Sequence, residues 1–375
     1  MNARLLGLAC TLPLTLLACS GASSPGAAQS EDANRPFEVA AVGTFDAPWA
    51  MAFLPDGKML VTQKQGAMIL FDPGSGSKQT IPGTPAVVST GQGGLMDVVP
   101  APDFTKSRKI YFSYSEPGEG KTNGVALATA TLDEEAPALK EMKVIFRATP
   151  YIQSAAHWSG RAFSPDNKYL FFTNGERAKA DPAQDPKSTL GKVLRLNLDG
   201  TPAVGNPLAA KGFHPAIWSY GHRNLTGIAF DKDGRLWEVE MGPLGGDEIN
   251  LIKPGLNYGW PKASNGSNYD GSDIPDHKPG DGYQPPKLFW NPSLAPAALA
   301  YYNAALFPAW RNSLFVTGLS GMALERVALN GEDASKADRW DMGARIRSVQ
   351  VGPDGALWLL EDGPGGRLLK LTPRH

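Results

Sequence analysis

Five polar segments of the chain combine side chains that are able to do chemistry. They are residues 90–97, 154–161, 218–227, 240–248 with 257–260, and 344–347. Within them we assign His157 as the proton acceptor, because imidazole titrates near neutral pH. Arg223, Arg345 and Arg347 add guanidinium groups, which bind carboxylates through charge-assisted hydrogen bonds. A base among several fixed cations indicates proton abstraction from a substrate beside a ligand that carries several carboxylates.

The elements that must position these segments repeat along the chain. A turn related to Pro-Asp-Gly separates two apolar runs at residues 54–57, 164–167, 231–234 and 352–355, with degenerate copies at 101–104 and 307–310. In such a turn proline presets the first torsion angle, aspartate caps the turn, and glycine or asparagine takes the positive torsion angle that joins antiparallel strands. Each copy therefore predicts a pair of antiparallel strands.

The spacing of these turns predicts a ring of similar units. Asp56 and Asp354 mark the first and last copies, 298 residues apart in five steps, a mean of about 60 residues. Six strand-turn-strand units with long inserts are typical of an all-β fold, the six-bladed β-propeller. Residues 37–42 have no partner in their own unit, so we expect this N-terminal strand to close the last blade beside residues 368–371. Loops at one channel mouth then bring the polar segments together.

Composition agrees with a turn-rich β fold and excludes several functions. Gly 42 and Pro 32 among 375 residues are too many for a helical bundle, and 42% hydrophobic residues is too apolar for a disordered chain. A formal net charge of -1 gives no global field for nucleic acid or an anionic membrane surface. We therefore expect no nucleic acid partner and a function that comes from a local site.

The N-terminal residues predict export. Residues 1–18 have the features of a lipoprotein-type signal peptide, because Arg4 precedes an apolar stretch that is too short to span a membrane. The four residues that end at Cys19 resemble a bacterial lipobox, and ordinary cleavage a few residues later is the alternative. Residues 19–35 have the composition of a flexible linker, and residues 36–373 form the predicted propeller. We expect a periplasmic protein whose membrane contact is a lipid anchor in the outer membrane.

Together, the polar segments resemble a known family. The motifs are Gly91-Gln92-Gly93-Gly94, His157 with Gly160-Arg161, Gly221-His222-Arg223-Asn224, Gly242-Pro243 with Gly246-Asp247-Glu248, Asn257-Tyr258-Gly259-Trp260, and Arg345-Ile346-Arg347. In this order and spacing they resemble the soluble sugar dehydrogenases that use pyrroloquinoline quinone (PQQ), most closely the aldose sugar dehydrogenase branch. The similarity covers about residues 36–373 and implies a six-bladed propeller.

The resemblance implies catalytic roles for two residues. His157 matches the general base, which takes the proton of the anomeric hydroxyl of an aldose while hydride passes from C1 of the sugar to the quinone. Arg223 matches the residue that polarises the quinone oxygens, where a fixed positive charge stabilises the arriving electron density. The implied reaction oxidises the C1 hydroxyl of an aldose to a lactone and passes electrons to an external acceptor, a quinone or a small redox carrier.

The resemblance also implies two cofactors, PQQ and Ca²⁺. The residues that match PQQ-binding positions are Gln92, Arg223, Asn224, Arg345 and Arg347. Backbone carbonyls of Gly242 and Pro243 match ligands of the Ca²⁺ ion that bridges to PQQ, and Asp247 is a candidate ligand for a second, structural Ca²⁺ ion. Two positions depart from the family: Ser320 stands near a lysine of some members, and Thr226 replaces a frequent glutamine. Both differences would remove contacts to the cofactor, whereas the base His157 and the arginine Arg223 are present.

Two other functions are compatible with a propeller. A lactonase or related hydrolase would hold one Ca²⁺ ion with several side-chain carboxylates around the channel, whereas this sequence gathers arginine and histidine there. A non-enzymatic secreted binding module would use the rim for another macromolecule and would expose a large apolar patch. Binding of PQQ distinguishes the three functions.

Overall fold

The computed structural model describes residues 35–163 and 168–374. The predicted signal peptide (residues 1–18), Cys19, the linker up to residue 34 and the predicted turn at residues 164–167 lie outside the described residues. Regular structure in the described ranges is almost entirely β-strand. The helices found there are one short α-helix, α1 (Phe104–Ser107), and three 3₁₀ turns at Asp181–Ala183, Ala209–Lys211 and Pro308–Trp310. None of them is long and apolar enough to cross a membrane.

The strands follow one another with short connections and a few long loops. In chain order they are β1 (Phe37–Asp46), β2 (Pro48–Phe53), β3 (Met59–Gln63), β4 (Met68–Phe71), β5 (Lys78–Ile81), β6 (Leu95–Pro100), β7 (Lys109–Pro117), β8 (Asn123–Asp133), β9 (Ala138–Arg147), β10 (Ser159–Phe163), β11 (Tyr169–Asn174) and β12 (Lys192–Asn197). The second half comprises β13 (Ile217–Tyr220), β14 (Leu225–Phe230), β15 (Leu236–Glu240), β16 (Asp247–Ile252), β17 (Leu288–Trp290), β18 (Pro296–Tyr302), β19 (Ser313–Gly318), β20 (Ala323–Asn330), β21 (Asp333–Asp341), β22 (Ile346–Val351), β23 (Leu357–Glu361) and β24 (Pro364–Pro373).

These strands form six four-stranded antiparallel sheets, the blades of a propeller. Blades one to five are β2–β5, β6–β9, β10–β13, β14–β17 and β18–β21, and blade six is β22–β24 with β1. The first strands of successive blades contact one another around the ring, and β2 also contacts β22. The ring is therefore closed, which confirms the predicted six-bladed β-propeller.

The N-terminal strand closes the ring as predicted. Strand β1 pairs antiparallel with β24, so that Val39 lies opposite Leu371 and Ala41 opposite Leu369. Phe37 of β1 is buried and packs edge-on against Trp310 and Trp340 of blade five, with ring centroids 5.9 and 5.2 Å away. Burying such a ring contributes roughly 1.5–3 kcal/mol. Backbone pairing and this apolar layer between the blades thus hold the two ends of the propeller together.

The Pro-Asp-Gly turns form where glycine is present and are replaced where it is absent. Asp56 Oδ1 accepts a hydrogen bond from the backbone N–H of Lys58 at 3.0 Å, and Gly57 takes a φ of 87°. The degenerate copies form short helices instead, α1 and the 3₁₀ turn at Pro308–Trp310. Neither copy has a glycine at the position that needs a positive φ, so the chain reverses through a helical turn.

Candidate active site

One cleft lies where the first strands of the six blades begin, and every blade contributes residues to its lining. Its lining is Trp49, Gln92, Trp158, Ser159, Asn224, Thr226, Met241, Ala297, Leu319, Arg345 and Arg347. The cavity volume of this cleft is about 90 Å³. Four of the sequence-predicted residues, Gln92, Asn224, Arg345 and Arg347, therefore share this channel mouth. His157 and Arg223 precede the lining residues Trp158 and Asn224 in the chain.

The buried imidazole of His157 forms a short contact with a buried carboxylate. Its Nδ1 lies 2.6 Å from Oε1 of Glu176, and both residues are buried. Burial would raise the pKa of Glu176, but hydrogen bonds from His157 and from the backbone N–H groups of Ala180 and Lys179 lower it on balance. Glu176 is therefore ionised and accepts a hydrogen bond from the Nδ1–H of the imidazole. That tautomer directs the basic lone pair of Nε2 away from Glu176.

The backbone of His157 is held by the glycine-rich segment of blade two. The amide of His157 donates to Oε1 of Gln92 at 2.8 Å, and the amide of Gln92 donates to the carbonyl of Ala155 at 2.8 Å. A Cβ atom on Gly91 would lie 2.2 Å from that carbonyl oxygen, so only glycine permits this approach. His157 itself takes a φ of 50°, a strained value for a non-glycine residue. The two loops thus position the imidazole jointly.

Arg223 is a buried cation at the edge of the cleft. Its Nη1 donates to the carbonyls of Met241 at 3.0 Å and Gly242 at 2.7 Å. The guanidinium carbon lies 5.2 Å from the ring of Trp260 and 5.7 Å from that of Tyr269, and Nη2 contacts the Tyr269 hydroxyl at 3.2 Å. The Nε atom of Arg223 is buried and has no hydrogen-bond partner in the described part of the chain. A donor of this kind remains available to an anionic ligand.

Asn224 connects the loops of blades three and four at the cleft. Its side-chain oxygen accepts a hydrogen bond from Ser159 at 3.3 Å, and its amide nitrogen contacts the sulfur of Met241 at 3.4 Å. The adjacent Thr226 donates to the carbonyl of Val239 at 3.2 Å and also lines the cleft. Both polar side chains therefore lie at the cleft surface, where the sequence predicted a cofactor position for Asn224.

Arg345 and Arg347 share one carboxylate. Nε of Arg345 lies 2.9 Å from Oδ2 of Asp362, and Nη2 of Arg347 lies 2.7 Å from Oδ1. Burial would raise the pKa of Asp362, but the charges and hydrogen bonds of Arg347 and Arg345 lower it below its ordinary value. One carboxylate between two guanidinium groups leaves one net positive charge at this side of the cleft. The two arginines therefore point to one shared partner.

Arg161 lies between the cleft and a second cavity of the protein. It is buried, donates to the Thr226 carbonyl at 2.6 Å and pairs with Asp97 at 3.3 Å. Its guanidinium carbon lies 4.3 Å from the ring centre of Trp49, which lines the cleft. Both Asp97 and Arg161 line the second cavity, of about 190 Å³. The Arg161–Asp97 ion pair therefore fills the channel, and the guanidinium group of Arg161 is the member of the pair that lies next to the cleft residue Trp49.

The residues predicted to bind Ca²⁺ lie beside Arg223. The Gly242 carbonyl accepts from Arg223, and the Gly242 amide donates to Oδ1 of Asp247 at 2.9 Å. Oδ2 of Asp247 accepts three further hydrogen bonds, from the Ser293 hydroxyl and the amides of Leu294 and Ala295, at 2.7 to 2.8 Å. Asp247 therefore ties two loops together through protein donors. Its assignment as a calcium ligand stays a prediction, as does that of Pro243.

Comparison with known protein families identifies the family of this chain. The model of a family described as glucose/sorbosone dehydrogenase matches residues 45–370. The chain belongs to this family. The match spans all six blades and every sequence-predicted site residue, so the resemblance inferred from the motifs is confirmed.

Individual relatives within the glucose/sorbosone dehydrogenase family are similar over nearly the whole chain. The aldose sugar dehydrogenase YliI of Escherichia coli is 40% identical over 338 residues, which are 88% of this chain and 91% of the relative. The crystal structure of the soluble aldose sugar dehydrogenase of E. coli in its apo form has a TM-score of 0.87 and 39% identity, covering 90% of this chain and all of that chain. The PQQ-bound aldose sugar dehydrogenase of Streptomyces coelicolor has a TM-score of 0.73 and 31% identity, with 90% and 98% covered.

Some residues at the candidate site were missed from sequence. Glu176 lies two residues after β11, which pairs with β10, and β10 begins two residues after His157; a carboxylate at that strand end was the available signal. Tyr269 lies in a long loop without regular structure, so no periodicity points to its contact with Arg223. Ser320, which stands near the lysine of some family members, is exposed and does not line the cleft, whereas Leu319 does.

Proposed function

We propose that the chain is a PQQ-dependent dehydrogenase that oxidises the C1 hydroxyl of an aldose to a lactone. The observation that carries the proposal is the pairing of ionised Glu176 with His157, which directly precedes Trp158 in a cleft that Arg345 and Arg347 also line. The relatives support a sugar as substrate, because those named above are aldose sugar dehydrogenases and one structure holds PQQ. The hydrolase alternative lacks this support.

The cleft residues fit PQQ, which carries several carboxylates and a quinone. The unpaired Nε of Arg223 can donate to a quinone oxygen, and the net positive charge of Arg345, Arg347 and Asp362 suits a carboxylate. Gln92 and Asn224 add amide groups at the same cleft. We assign these five arginine and amide positions to hold the cofactor.

A Ca²⁺ ion beside Gly242 and Pro243 fits less completely. Backbone carbonyl oxygens are suitable ligands for this hard cation, but the Gly242 carbonyl already accepts from Arg223. The second lone pair of that oxygen remains for a metal. We propose Gly242 and Pro243 as the calcium position and derive no catalytic step from the ion.

The proton chemistry follows from the His157–Glu176 pair. The carboxylate holds Nδ1–H, so Nε2 of His157 takes the proton from the anomeric hydroxyl. When bound, PQQ supplies the acceptor for the hydride that leaves C1. Loss of one proton and one hydride converts the hemiacetal carbon into the lactone carbonyl, so atoms and electrons balance. Glu176 then stabilises the imidazolium that forms, and Arg223 provides fixed positive charge beside the site.

Reconstitution tests this function. Purified protein is freed of metal with a chelator, loaded with PQQ and Ca²⁺, and assayed by reduction of an artificial dye with several aldoses. We expect tight PQQ binding and aldose-dependent dye reduction. Absence of both would contradict the proposal, and PQQ-independent hydrolysis of a lactone would favour the hydrolase alternative instead.

Glu176→Gln is expected to lower kcat by roughly ten- to a hundredfold, because a neutral amide holds the imidazole less well and no longer stabilises its charged form. The acid limb of the kcat profile should move to lower pH, since the negative charge next to the base is gone. The measurement is kcat against pH for both proteins. An unchanged profile with a lowered kcat would assign Glu176 a merely structural role.

The same variant tests the ionisation of Glu176 through stability. The folded protein lowers the pKa of this carboxyl below the ordinary 4.5, so its contribution is complete above about pH 4.5 and is lost as the pH falls through the lowered value. The unfolding free energy of the wild type should therefore exceed that of Glu176→Gln most clearly near neutral pH. The gap should shrink on acidification, and a gap that widens in acid would contradict the assignment.

Arg347→Ala is expected to weaken PQQ binding by about 10- to 100-fold, the loss expected for a charge-assisted hydrogen bond. The remaining Arg345–Asp362 pair is neutral, so the net positive charge at this side of the cleft disappears. Equilibrium titration with PQQ measures the effect. Arg367→Ala is the matched control, because Arg367 pairs with Glu361 in the same blade and does not line the cleft; an equal loss in the control would contradict the role of Arg347.

We also propose export to the periplasm with a lipid anchor on Cys19. The support is the apolar stretch before Cys19 and the small and polar residues after it. The natural electron acceptor is then a quinone or a small redox carrier available there. Fractionation of cells that express the full chain tests the anchor: Cys19→Ser should move the protein out of the membrane fraction, and an unchanged distribution would contradict lipidation.

A further inference from the structure

A block of buried acidic side chains lies in blade four, outside the lining of the cleft. Glu238 and Glu240 of β15 lie opposite Asn250 and Glu248 of β16. Residues two apart on a strand point to the same face of the sheet, so the four side chains form one group. All four are buried. Three carboxylates are thus enclosed together in the interior of the protein.

These carboxylates have no lysine or arginine partner within the part of the chain that the structure describes. His222 Nδ1 contacts Oε2 of Glu240 at 2.8 Å, and His277 Nε2 lies 3.9 Å from Glu248. Buried carboxylates are ordinarily paired with a cation or coordinate a metal, because an isolated buried charge is strongly unfavourable. The group therefore lacks positive charge.

A free ligand atom is present in this group. Oε1 of Glu238 is buried and has no hydrogen-bond partner among the described residues, while Oε2 accepts from Asn250 at 3.3 Å. Ligand atoms of His222, Glu238 and Glu240 all lie within 4.8 Å of one another. Ligands placed 2.3–2.6 Å from one Ca²⁺ ion are at most about 5 Å apart. Both ring nitrogens of His222 already have partners, Glu240 at 2.8 Å and Ser219 at 2.9 Å, so the two carboxylates are the side chains that can share one ion.

We propose that blade four binds a divalent cation of the Ca²⁺ class between Glu238 and Glu240, with His222 at its edge. Two carboxylates give the oxygen ligands and the negative charge that such an ion requires. Oε1 of Glu240 also accepts from the backbone N–H of Arg223 at 3.0 Å. The ion therefore fixes the carboxylate that positions the Arg223 loop. Its ligands are side chains and none belongs to the cofactor, so binding does not require PQQ.

Calcium content of the protein without PQQ tests this site. The wild type and Glu238→Gln are treated with a chelator, dialysed against buffer with low free Ca²⁺, and analysed for bound metal by mass spectrometry. We expect one Ca²⁺ ion fewer per chain in the variant and a smaller rise of its Tm on addition of Ca²⁺. Equal metal content and equal Tm shifts would overturn the proposal, whatever the sugar dehydrogenase assay shows.

A control variant and a second signal keep the result decisive. Glu325→Gln changes a buried carboxylate of blade five that is already bonded to Trp290 and Arg339, so it should keep the full calcium content. Terbium is the second probe, because the Tyr258 ring stacks on His222 at 4.6 Å and can sensitise its emission. Emission should fall in Glu238→Gln. If that variant instead keeps its metal and is more stable in calcium-free buffer, a proton shared by Glu238 and Glu240 replaces the ion.

Discussion

His157→Ala is expected to lower turnover with an aldose by roughly two to four orders of magnitude, as loss of a general base does. The side chain is buried beside Glu176, and the cleft residues that would hold PQQ are on other loops. PQQ affinity should therefore change little. Steady-state kinetics and a PQQ titration on the same preparation measure the two effects separately.

His214→Ala is the control for that variant. His214 is a partly buried histidine in front of β13 that does not line the cleft, so its removal should leave turnover near the wild-type value. Survival of turnover in His157→Ala would assign His157 a structural role. Loss of turnover together with loss of PQQ binding would contradict a role limited to proton transfer.

Arg223→Met is expected to lower kcat by about 10²- to 10³-fold, the loss typical of removing one preorganised group that stabilises charge in the transition state. The guanidinium is buried, and its Nε has no hydrogen-bond partner among the described residues. Arg223→Lys should recover part of the rate, because it restores the charge without the planar set of donors. The measurement is kcat for the three proteins with saturating PQQ.

Arg195→Met is the matched control, because Arg195 also lies against two aromatic rings. Its guanidinium carbon is 4.7 Å from the Tyr169 ring and 4.4 Å from the Trp218 ring. Loss of such packing alone should therefore be common to both methionine variants. If Arg195→Met lost as much activity as Arg223→Met, the effect would come from packing and the catalytic role of Arg223 would be contradicted.

The architecture could be predicted from sequence because its signals are local. Turns with Gly57 or Gly355 need only a few residues to define a strand pair, and both glycines take positive φ values of 87° and 81°. Strand β1 could be assigned to the last blade because its sequence has no partner strand within its own repeat unit. The degenerate turns were less predictable, since without glycine the reversal at residues 101–104 became helix α1.

The site was predictable where a motif carried it and not where partners come from distant loops. His157 and Gln92 are 65 residues apart, yet both lie in recognisable motifs and form a hydrogen bond. Glu176 lies in no such motif, so its contact with His157 needed the folded sheet. The four donors on Asp247 include three from residues 293–295, and this arrangement depends on the packing of blades four and five.

Charge at the cleft differs from the charge of the whole chain. Arg161, Arg223, Arg345 and Arg347 lie in or beside the cleft with the carboxylates of Asp97 and Asp362. The four guanidinium groups outnumber the two carboxylates that pair with them, although the full chain has a formal net charge of -1. An anionic cofactor is therefore favoured at this mouth without a basic protein surface.

The isotope effect of C1 deuterium in a single turnover tests the central claim most directly. Protein loaded with PQQ and Ca²⁺ is mixed with ordinary glucose or with glucose deuterated at C1, and reduction of the bound cofactor is followed by absorbance. The account predicts slower reduction with the deuterated sugar and one lactone formed per cofactor. Equal rates for the two sugars, or reduction without lactone, would contradict hydride removal from C1 at this cleft.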